Sequence, residues 1–510
     1  MLLRRAIATA ALAAAVLSAP AGAATLDARR GEPLGSVSRE FVSFGFDISQ
    51  MQERGSGQAF DFTRPQLVRL AKALGPAYVR YSGTKIDETY YDPTGSLGPN
   101  PPGAYKYVLD RDEWDAATRF AAAAGLKVII GVNGGPGPRN VDFSWNPDNA
   151  RALLERAAVT GRPPAVVSFA NEPNLTYYGS GNPPTYRAAD YARDVERFLA
   201  LRAELAPRST FIGPGSFFIT GAEKPILNID FGPQTAAIMP LLGNRYDAVS
   251  LHHYPAFGES AKCAGLQPRP PADPLAPEFL DRIDGALAYM RGLRDTHAPR
   301  RPLWVDEFGN TACGGVVGYS NTFAASFYYL NALGTMARGG VKVATRWTLA
   351  GPQPYALVNE ETLVPRPDYW AALLWRRLMG TQVIAPRMSG APATLRTYSS
   401  CTPGSRGGVT TLALNTDRTA PATVRLAGIG GLGARLHKVT GELGSEQVEL
   451  NGRPLALNTA GELPRLSGAH VSNGTVTLPP TSYAFITQPY ALSRACGWRD
   501  PWQHWPAFRR

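Results

Sequence analysis

The chain has 510 residues, of which 44% are hydrophobic and 18% are charged. This composition excludes a disordered chain, and the length exceeds one typical hydrophobic core, so we expect two domains. The formal net charge of +11 suits anionic substrates such as acidic polysaccharides, although a composition rich in Arg would produce the same balance.

The N-terminus has the pattern of an export signal. Arg4 and Arg5 precede an apolar run over residues 6–17, and residues 21–23 read Ala-Gly-Ala, which fits a cleavage site for small residues. The run is too short to span a bilayer, and no later segment is long enough to do so. We therefore predict a signal peptide over residues 1–23, a periplasmic or secreted protein, and no membrane association.

After a short polar arm over residues 24–39, apolar strand patterns alternate with helical patterns. The predicted strands are residues 42–48, 77–84, 127–133, 166–171, 210–214, 248–254, 302–308 and 341–349. The predicted helices are residues 62–74, 111–124, 147–159, 188–206, 279–295, 322–337 and 369–379. The helix after the fifth strand, which is the weakest of the eight, has no clear pattern.

Eight strands that alternate with helices predict a (β/α)8 barrel, an α/β fold, over residues 40–380. A doubly wound open sheet is the competing interpretation, but no G-x-G-x-x-G follows the first strand. The sites of barrel enzymes lie at the carboxyl ends of the strands. Polar residues collect at the predicted strand ends, namely Asp47, Thr84, Asn133, Asn171, Glu172, His253, Tyr254 and Glu307.

The pattern changes beyond the barrel. Residues 381–510 contain short alternating strands, among them residues 409–415, 423–426, 475–478 and 484–487, separated by Gly, Pro and Asn. This pattern is typical of a β-sandwich. We therefore predict a second domain of that type, followed by a Trp-rich tail.

Four cysteines in an exported chain predict up to two disulfides. They are Cys263, Cys313, Cys401 and Cys496, and three pairings are possible. Pairing Cys263 with Cys313 and Cys401 with Cys496 would keep each bridge within one domain. Because there is no C-x-x-C and no clustered His/Cys spacing, we predict no structural metal and no cofactor.

Two glutamates carry the predicted chemistry. Glu172 ends the buried fourth strand in N-E-P-N, where burial would raise its pKa as a general acid requires. Glu307 ends the seventh strand in W-V-D-E-F-G, across the barrel mouth from the fourth. Hydrolysis of a glycosidic bond needs two such carboxyl groups, whereas either glutamate alone could simply cap the following segment or lie in solvent.

The neighbouring polar residues have less specific interpretations. Asp306 is expected on the opposite face of its strand, behind the barrel, because alternate residues face opposite sides. For the same reason His252 and His253 cannot easily bind one ion, and His253 with Tyr254 is expected to line the site. No G-x-S-x-G is present, so a serine hydrolase has no support, and no nucleic-acid partner is predicted.

Several longer motifs resemble one known family. They include L-G-P-A-Y-V-R-Y-S-G-T-K-I-D-E-T-Y-Y-D-P at residues 74–93, F-V-S-F-G-F-D at 41–47, H-H-Y at 252–254, and the stretch 358–381 with P-D-Y-W and L-M-G-T. Together with N-E-P-N they resemble glycoside hydrolase family 79, which contains heparanases and bacterial β-glucuronidases. The resemblance implies a barrel, a β-sandwich completed by the N-terminal arm, and cleavage of β-linked glucuronic acid with retention.

The resemblance also implies a role for individual residues. Glu172 corresponds to the acid/base and Glu307 to the nucleophile. Asn171 resembles the amide that contacts the sugar 2-hydroxyl, Tyr254 the phenol that holds the nucleophile, and Asp47 the acid that binds sugar hydroxyls.

Further carried-over residues border the same subsite. Thr84 and Lys85 match a loop beside it, while Gly314 and Gly315 resemble a backbone pair that binds the uronate carboxylate, with the hydroxyl of Tyr355. The loop before Gly314 is one residue longer than in heparanases, and it has Cys313 in place of an aromatic residue. Pro255 also replaces a second tyrosine after H-H-Y, and residues 94–107 leave no room for an excised linker.

The sequence thus predicts a retaining β-D-glucuronidase that hydrolyses glucuronic-acid-containing glycans or glycosides. The alternatives are an endo-β-glucuronidase on glycosaminoglycans, a glycosidase for another sugar, and a non-catalytic carbohydrate-binding barrel.

Overall fold

A computed structural model of the protein describes residues 23–52, 60–219 and 231–499. The predicted signal peptide, except its last residue, and the end of the Trp-rich tail lie outside these residues. Within them, no helix is both long and apolar enough to cross a membrane.

The strands of the described chain are short in both parts of the molecule. They are β1 (Ala24–Ser36), β2 (Val42–Asp47), β3 (Tyr78–Ser82), β4 (Thr89–Asp92), β5 (Tyr107–Asp110), β6 (Lys127–Val132), β7 (Val166–Phe169), β8 (Thr210–Ile219), β9 (Ala248–Tyr254), β10 (Leu303–Phe308), β11 (Val341–Arg346), β12 (Ala350–Gly351), β13 (Val358–Asn359), β14 (Gln382–Ser389), β15 (Leu395–Cys401), β16 (Val409–Asn415), β17 (Ala422–Leu426), β18 (Arg435–Thr440), β19 (Glu449–Leu450), β20 (Arg453–Pro454), β21 (Ala469–His470), β22 (Thr475–Leu478) and β23 (Ser482–Gln488).

The α-helices lie between the strands of the first part. They are α1 (Ile48–Met51), α2 (Pro65–Leu74), α3 (Arg111–Ala124), α4 (Asp148–Val159), α5 (Ala188–Leu205), α6 (Thr235–Leu242), α7 (Pro277–Leu280), α8 (Arg282–His297), α9 (Phe323–Arg338) and α10 (Pro367–Leu378). Helix α3 shows how sequence sets the bounds: Asp110 and Glu113 form a capping box at its start, and Gly125 ends it in the left-handed conformation.

Eight parallel strands close into a barrel in the order β10-β11-β2-β3-β6-β7-β8-β9. These are the eight strands that the sequence predicts, so the (β/α)8 fold is confirmed. The fifth, β8, is longer than predicted and extends to Ile219. Apolar side chains from six adjoining strands fill the lower interior, namely Ile129, Val166, Ile212, Ala248, Trp304 and Val343. Because this layer is packed, the cavity lies above it at the carboxyl ends.

The second part is an eleven-stranded sheet that the N-terminal arm completes. Strand β1 pairs antiparallel with β14 and parallel with β17. Strand β16 shows the two-sided packing that alternation produces. Its Leu412 and Leu414 join the core shared with the barrel, whereas Ala413 belongs to the sheet's own core. The predicted β-rich second domain with its N-terminal strand is therefore confirmed.

Both predicted disulfides are present. Cys263 is bonded to Cys313, which links the loops after β9 and β10, and Cys401 is bonded to Cys496 in the sheet domain. The first bridge fixes two loops that border the barrel mouth.

Candidate active site

Glu172 and Glu307 open into one cavity of about 500 Å³ at the carboxyl ends of the barrel strands. One carboxylate oxygen of Glu172 lies within 4.8 Å of one carboxylate oxygen of Glu307. The cavity is also lined by Asp47, Thr84, Lys85, Asn171, Tyr178, Phe217, Tyr254, Phe257, Gly314, Trp347 and Tyr355. The structure therefore brings together most of the residues that the sequence singles out.

Glu307 is held on both of its oxygens. The hydroxyl of Tyr254 donates to Oε1 at 2.7 Å, and Arg80 Nη1 donates to Oε2 at 2.5 Å. Arg80 lies in the middle of β3 and is almost fully buried, and its guanidinium lies 5.3 Å from the ring centre of Trp347. The two contacts fix the orientation of the Glu307 carboxyl group, as a nucleophile requires.

Glu172 lies in a different environment at the end of β7. Its backbone is left-handed, with φ of 49°, a strained conformation for a residue with a side chain. The segment is held from below by Asp87, whose carboxylate accepts from the backbone N–H groups of Asn171 at 2.9 Å and Gly134 at 2.8 Å. The strained turn is thus fixed by two buried hydrogen bonds.

The ring of His252 connects the two glutamates. Its Nδ1 lies 2.8 Å from Glu172 Oε1 and 3.8 Å from Glu307 Oε2. Burial and the cation of Arg80 oppose protonation of His252, but the charges of Glu307 and Asp306 raise its pKa to about 10. In this hydrogen bond the Nδ1–H group of His252 therefore donates and Glu172 Oε1 accepts.

Burial and the charge of Glu307 raise the pKa of Glu172, while the hydrogen bond and the charge of His252 lower it; the net direction is upward. A carboxyl group whose pKa is raised keeps its proton nearer to neutral pH. The site therefore contains one carboxyl group with a raised pKa, Glu172, and one that is held by a cation and a phenol, Glu307. Such different environments for two carboxyl groups are usual where acid–base and nucleophilic roles are divided.

The position predicted for Asp306 is wrong. Its Oδ2 lies 3.5 Å from His252 Nε2 and 3.8 Å from Arg80 Nε, inside the barrel. The register between β9 and β10 shifts between Val305 and Glu307. This bulge turns both acidic side chains inward, whereas regular alternation would send one of them outward.

His253 does not line the cavity, so that prediction is corrected as well. Its Nδ1 lies 2.9 Å from the hydroxyl of Tyr328 on α9, outside the barrel wall, and burial lowers its pKa to about 3. In β9 the side chains of His252 and Tyr254 point inward, so His253 between them must point outward. Of the two histidines, His252 and not His253 faces the barrel interior.

The first two strand ends supply the polar residues that were predicted there. Asp47 accepts from Ser49 N at 2.9 Å and caps α1, and burial raises its pKa. Lys85 Nζ lies 4.1 Å from the ring centre of Tyr107. Gly83 has φ of 98°, and a Cβ there would lie 2.8 Å from Asp47 Oδ2, so only glycine fits between these two strand ends.

Asn171 and Tyr355 also border the cavity. Oδ1 of Asn171 accepts a hydrogen bond from Arg80 Nη2 at 3.1 Å.

The two predicted glycines, Gly314 and Gly315, differ in what they contact. Gly314 lines the cavity, but the N–H of Gly315 donates to the carbonyl of Ala312 at 3.3 Å. Gly315 is therefore engaged with its own loop, and the prediction that both N–H groups face a ligand is corrected for this residue.

Sequence reasoning did not assign three residues at the centre of the site: Arg80, His252 and Trp347. A signal was available for Arg80, since an arginine within the buried strand pattern of β3 requires a charged partner inside the protein. No comparable signal was available for Trp347, whose position depends on the end of β11.

The only group of described side chains with ligand atoms close enough for a metal ion is Glu172, His252 and Glu307. Their charges are already compensated by each other and by Arg80, 2.5 Å from Glu307. The three side chains therefore already have charged or hydrogen-bonding partners within the protein.

Comparisons with known proteins agree with this geometry. The sequence profile described as glycosyl hydrolase family 79, N-terminal domain, matches residues 56–334. Heparanase-like protein 1 of Arabidopsis thaliana is 28% identical over 491 residues, which cover 86% of each chain. The heparanase of Gallus gallus is 27% identical over 526 residues, which cover 91% of this chain and 95% of that one.

Among solved structures, the family 51 arabinofuranosidase of Xanthomonas axonopodis pv. citri has a TM-score of 0.62 and 16% identity, covering 91% of this chain and 99% of its own. At this identity the similarity shows a shared fold. The barrel with its accompanying sheet is thus an architecture that other glycosidases also have.

Proposed function

Because the chain belongs to glycoside hydrolase family 79, we propose that this glycosidase is a retaining β-D-glucuronidase. It hydrolyses β-linked glucuronic acid from a glycan or glycoside. Glu172 acts as the acid/base and Glu307 as the nucleophile.

One observation carries the proposal. Carboxylate oxygens of Glu172 and Glu307 lie within 4.8 Å of each other in a single cavity. Retaining glycosidases place their two carboxyl groups about 5–5.5 Å apart, whereas inverting enzymes need about 6.5–9.5 Å for an intervening water. The short separation supports direct attack by a carboxylate.

The contacts support a two-step reaction. Glu307, held by Tyr254 and Arg80, attacks the anomeric carbon while Glu172 gives its proton to the glycosidic oxygen, and the aglycone leaves as an alcohol. Glu172, now ionised, removes a proton from water, which attacks the anomeric carbon. The bond to Glu307 breaks, and the sugar leaves with its original configuration.

The uronate is proposed to bind beside Gly314 and Tyr355. Both residues line the same cavity as Glu307, and Gly314 has φ of 86° with open space where a Cβ would stand. A glycine lets a ligand approach the backbone closely, and backbone N–H groups and hydroxyls are suitable donors to a carboxylate. Asp47, Thr84, Lys85 and Asn171 are proposed to bind the sugar hydroxyls.

The test is hydrolysis of p-nitrophenyl β-D-glucuronide beside the corresponding β-D-glucoside, with the anomer of the first product followed by NMR. We expect turnover of the glucuronide with β-glucuronic acid formed first. Faster hydrolysis of the glucoside would contradict the sugar specificity, and initial release of the α-anomer would contradict retention.

A second candidate is endo-cleavage of a glycosaminoglycan, which is favoured by the heparanase among the relatives, aligned over 95% of its length. Digestion of heparan sulfate separates the two activities. An endo-enzyme produces shorter chains from the start, whereas an exo-enzyme releases only monosaccharide.

Export is part of the same proposal. The signal-like residues 1–23 and the two disulfides support an oxidising compartment, periplasmic or extracellular. We propose the division into an arm over residues 24–39, a catalytic barrel over 40–380 and a β-sandwich with its tail over 381–510.

A further inference from the structure

The cavity is lined by two kinds of side chain. One set consists of charged and polar side chains of the first strand ends, including Asp47, Thr84 and Lys85. The other set is an apolar wall made of Leu175, Tyr178, Phe217, Phe231, Phe257 and Leu266. The inference drawn from this wall rests on the proposed function, because that function sets the direction in which the bond is cleaved.

The wall lies on the side of the proton donor. Leu175 and Tyr178 belong to the segment that directly follows Glu172. The amide of Asn174 bonds both backbone groups of Phe217: Nδ2 donates to its carbonyl at 2.9 Å, and Oδ1 accepts from its N–H at 2.8 Å. Since the acid must contact the leaving oxygen, the group attached to that oxygen meets this wall.

The rings of the wall form a continuous surface. Phe217 is 6.0 Å from Tyr254 and 6.3 Å from Phe257 between ring centres, with interplanar angles of 30° in both pairs. Tyr254 in turn donates to the nucleophile, so this row of rings begins at the reacting centre. A planar ring next to the leaving oxygen can pack on such a surface in the offset geometry that aromatic pairs prefer.

A second aromatic pair also lines the cavity. Tyr178 is 50% exposed, and its ring centre lies 5.7 Å from that of Phe231. A half-exposed tyrosine that lines a cavity can contact a ligand with its ring. The leaving group thus has two aromatic pairs to pack on, Phe217 with Phe257 and Tyr178 with Phe231.

Charge argues in the same direction. Among the described residues that line the cavity, Lys85 is the basic one, and its neighbour Thr84 lies against Gly179, next to Tyr178. A sugar with several sulfate groups in the leaving-group position would require more cations than this one lysine. We propose that the aglycone is an uncharged aromatic group, such as a phenol, and that the apolar wall is its binding site.

The test compares three substrates that share glucuronic acid: phenyl β-D-glucuronide, methyl β-D-glucuronide and a sulfated glucuronyl-glucosamine disaccharide. Tyr178→Ala and Phe217→Ala are each expected to lower kcat/KM for the phenyl substrate about tenfold, the worth of a lost ring contact. For the methyl substrate the loss is expected to stay below about twofold, because methanol cannot reach the wall. Comparing each variant with the wild type cancels the difference in leaving-group acidity.

Two controls separate binding from folding. Phe217→Leu keeps an apolar side chain and should recover part of the loss on the phenyl substrate. Tyr490→Ala removes an equally exposed tyrosine, 53% exposed, in the sheet domain and should leave all three substrates unchanged. Because Tyr178 is half exposed, its variant keeps the test decisive even if Phe217→Ala fails to fold.

Equal losses on the phenyl and methyl substrates would overturn the proposal, as would a higher wild-type kcat/KM for the sulfated disaccharide. Phenyl and methyl β-D-glucosides are measured in parallel. If only the glucosides are hydrolysed and the selective loss on the phenyl compound persists, the glucuronidase function fails and the aromatic site stands. No turnover of any phenyl glycoside overturns both.

Discussion

At the end of β10, Glu307 is bound on one oxygen by Tyr254 and on the other by Arg80. At the end of β7, Glu172 contacts His252 through Oε1, and its backbone is held in a left-handed turn. Two glutamates whose carboxylate oxygens lie within 4.8 Å of each other therefore have different environments. One of them stabilises a negative charge, and the other favours a bound proton.

The difference teaches that residue identity alone does not assign an acid and a nucleophile in such a site. Burial raises the pKa of Glu172, whereas a buried cation contacts Glu307 directly. Pairs of carboxyl groups whose environments separate their ionisation are the usual basis of divided catalytic roles. Substitutions at Glu172, at Glu307 or at a residue that contacts one of them test this difference.

The largest effect is expected when the two glutamates are removed in turn. Glu307→Ala should lower kcat on p-nitrophenyl glucuronide on the order of 10⁴-fold or more, because no covalent intermediate can form. Azide should partly restore turnover and give the α-glucuronyl azide. The matched variant Glu172→Ala should instead give the β-azide, since its nucleophile is intact. NMR of the products checks this, and the same azide anomer from both variants would refute the assigned roles.

A smaller loss is expected when one partner of Glu307 is removed. Tyr254→Phe deletes the hydroxyl that donates to Oε1 and should lower kcat about 10²-fold, the usual worth of an oriented donor at a reacting group. Tyr329→Phe removes a buried hydroxyl outside the cavity and serves as the control. Equal kcat values for Tyr254→Phe and Tyr329→Phe would contradict the role assigned to the Tyr254 hydroxyl in holding Glu307.

On the other side, His252→Asn keeps a donor near Glu172 but removes the positive charge. The charge of His252 lowers the pKa of Glu172, so its loss should raise that pKa. The alkaline limb of kcat/KM, where the acid loses its proton, should then move up by about one pH unit. His470→Asn, which changes an exposed histidine of β21, is the control. A shift toward lower pH would contradict the assignment of Glu172 as the acid.

The smallest effect is on stability. Burial raises the pKa of Asp87 from its usual value of 3.8 to about 7. Between these values the folded chain binds more protons than the unfolded chain, so the contribution of Asp87 to stability is present below about pH 4 and is lost as the pH rises toward 7.

Asp87→Asn should therefore flatten the pH dependence of the free energy of unfolding in this window, by at most about 1.4 kcal/mol per pH unit. Urea unfolding at several pH values measures it, and Asp61→Asn, at an exposed aspartate, should keep the wild-type slope. An unchanged slope in Asp87→Asn would mean that this carboxyl group does not hold the Glu172 segment in the way described.

Much of the fold could be predicted from sequence because its signals are local. Each barrel strand is a short apolar run, and each helix has an apolar stripe or a capping residue, as in α3 with Asp110 and Gly125. The candidate site was predictable to the extent that it depends on strand ends, which parallel strands bring to one face. Glu172 and Glu307 followed from that rule alone.

The errors arose where packing overrides local pattern. A bulge in β10 turns Asp306 inward, although period-two alternation places it outward. The error at His253 has a different origin, because alternation already places His252, and not His253, on the same strand face as Tyr254. Gly315 was assigned to the ligand, but its N–H is used inside its own loop.

The sequence by itself determined the eight-strand barrel, the added sheet, the four cysteines and the two glutamates, since all of these depend on local patterns or on residue type. The pairing of the cysteines, open among three possibilities, was decided by the fold. Tertiary structure alone decided which charges meet. Arg80 reaches Glu307 across 227 positions of sequence, and His252 reaches Glu172 across 80. Such contacts depend on strand register and barrel closure, which no local pattern contains, and they are what give two identical side chains different chemistry.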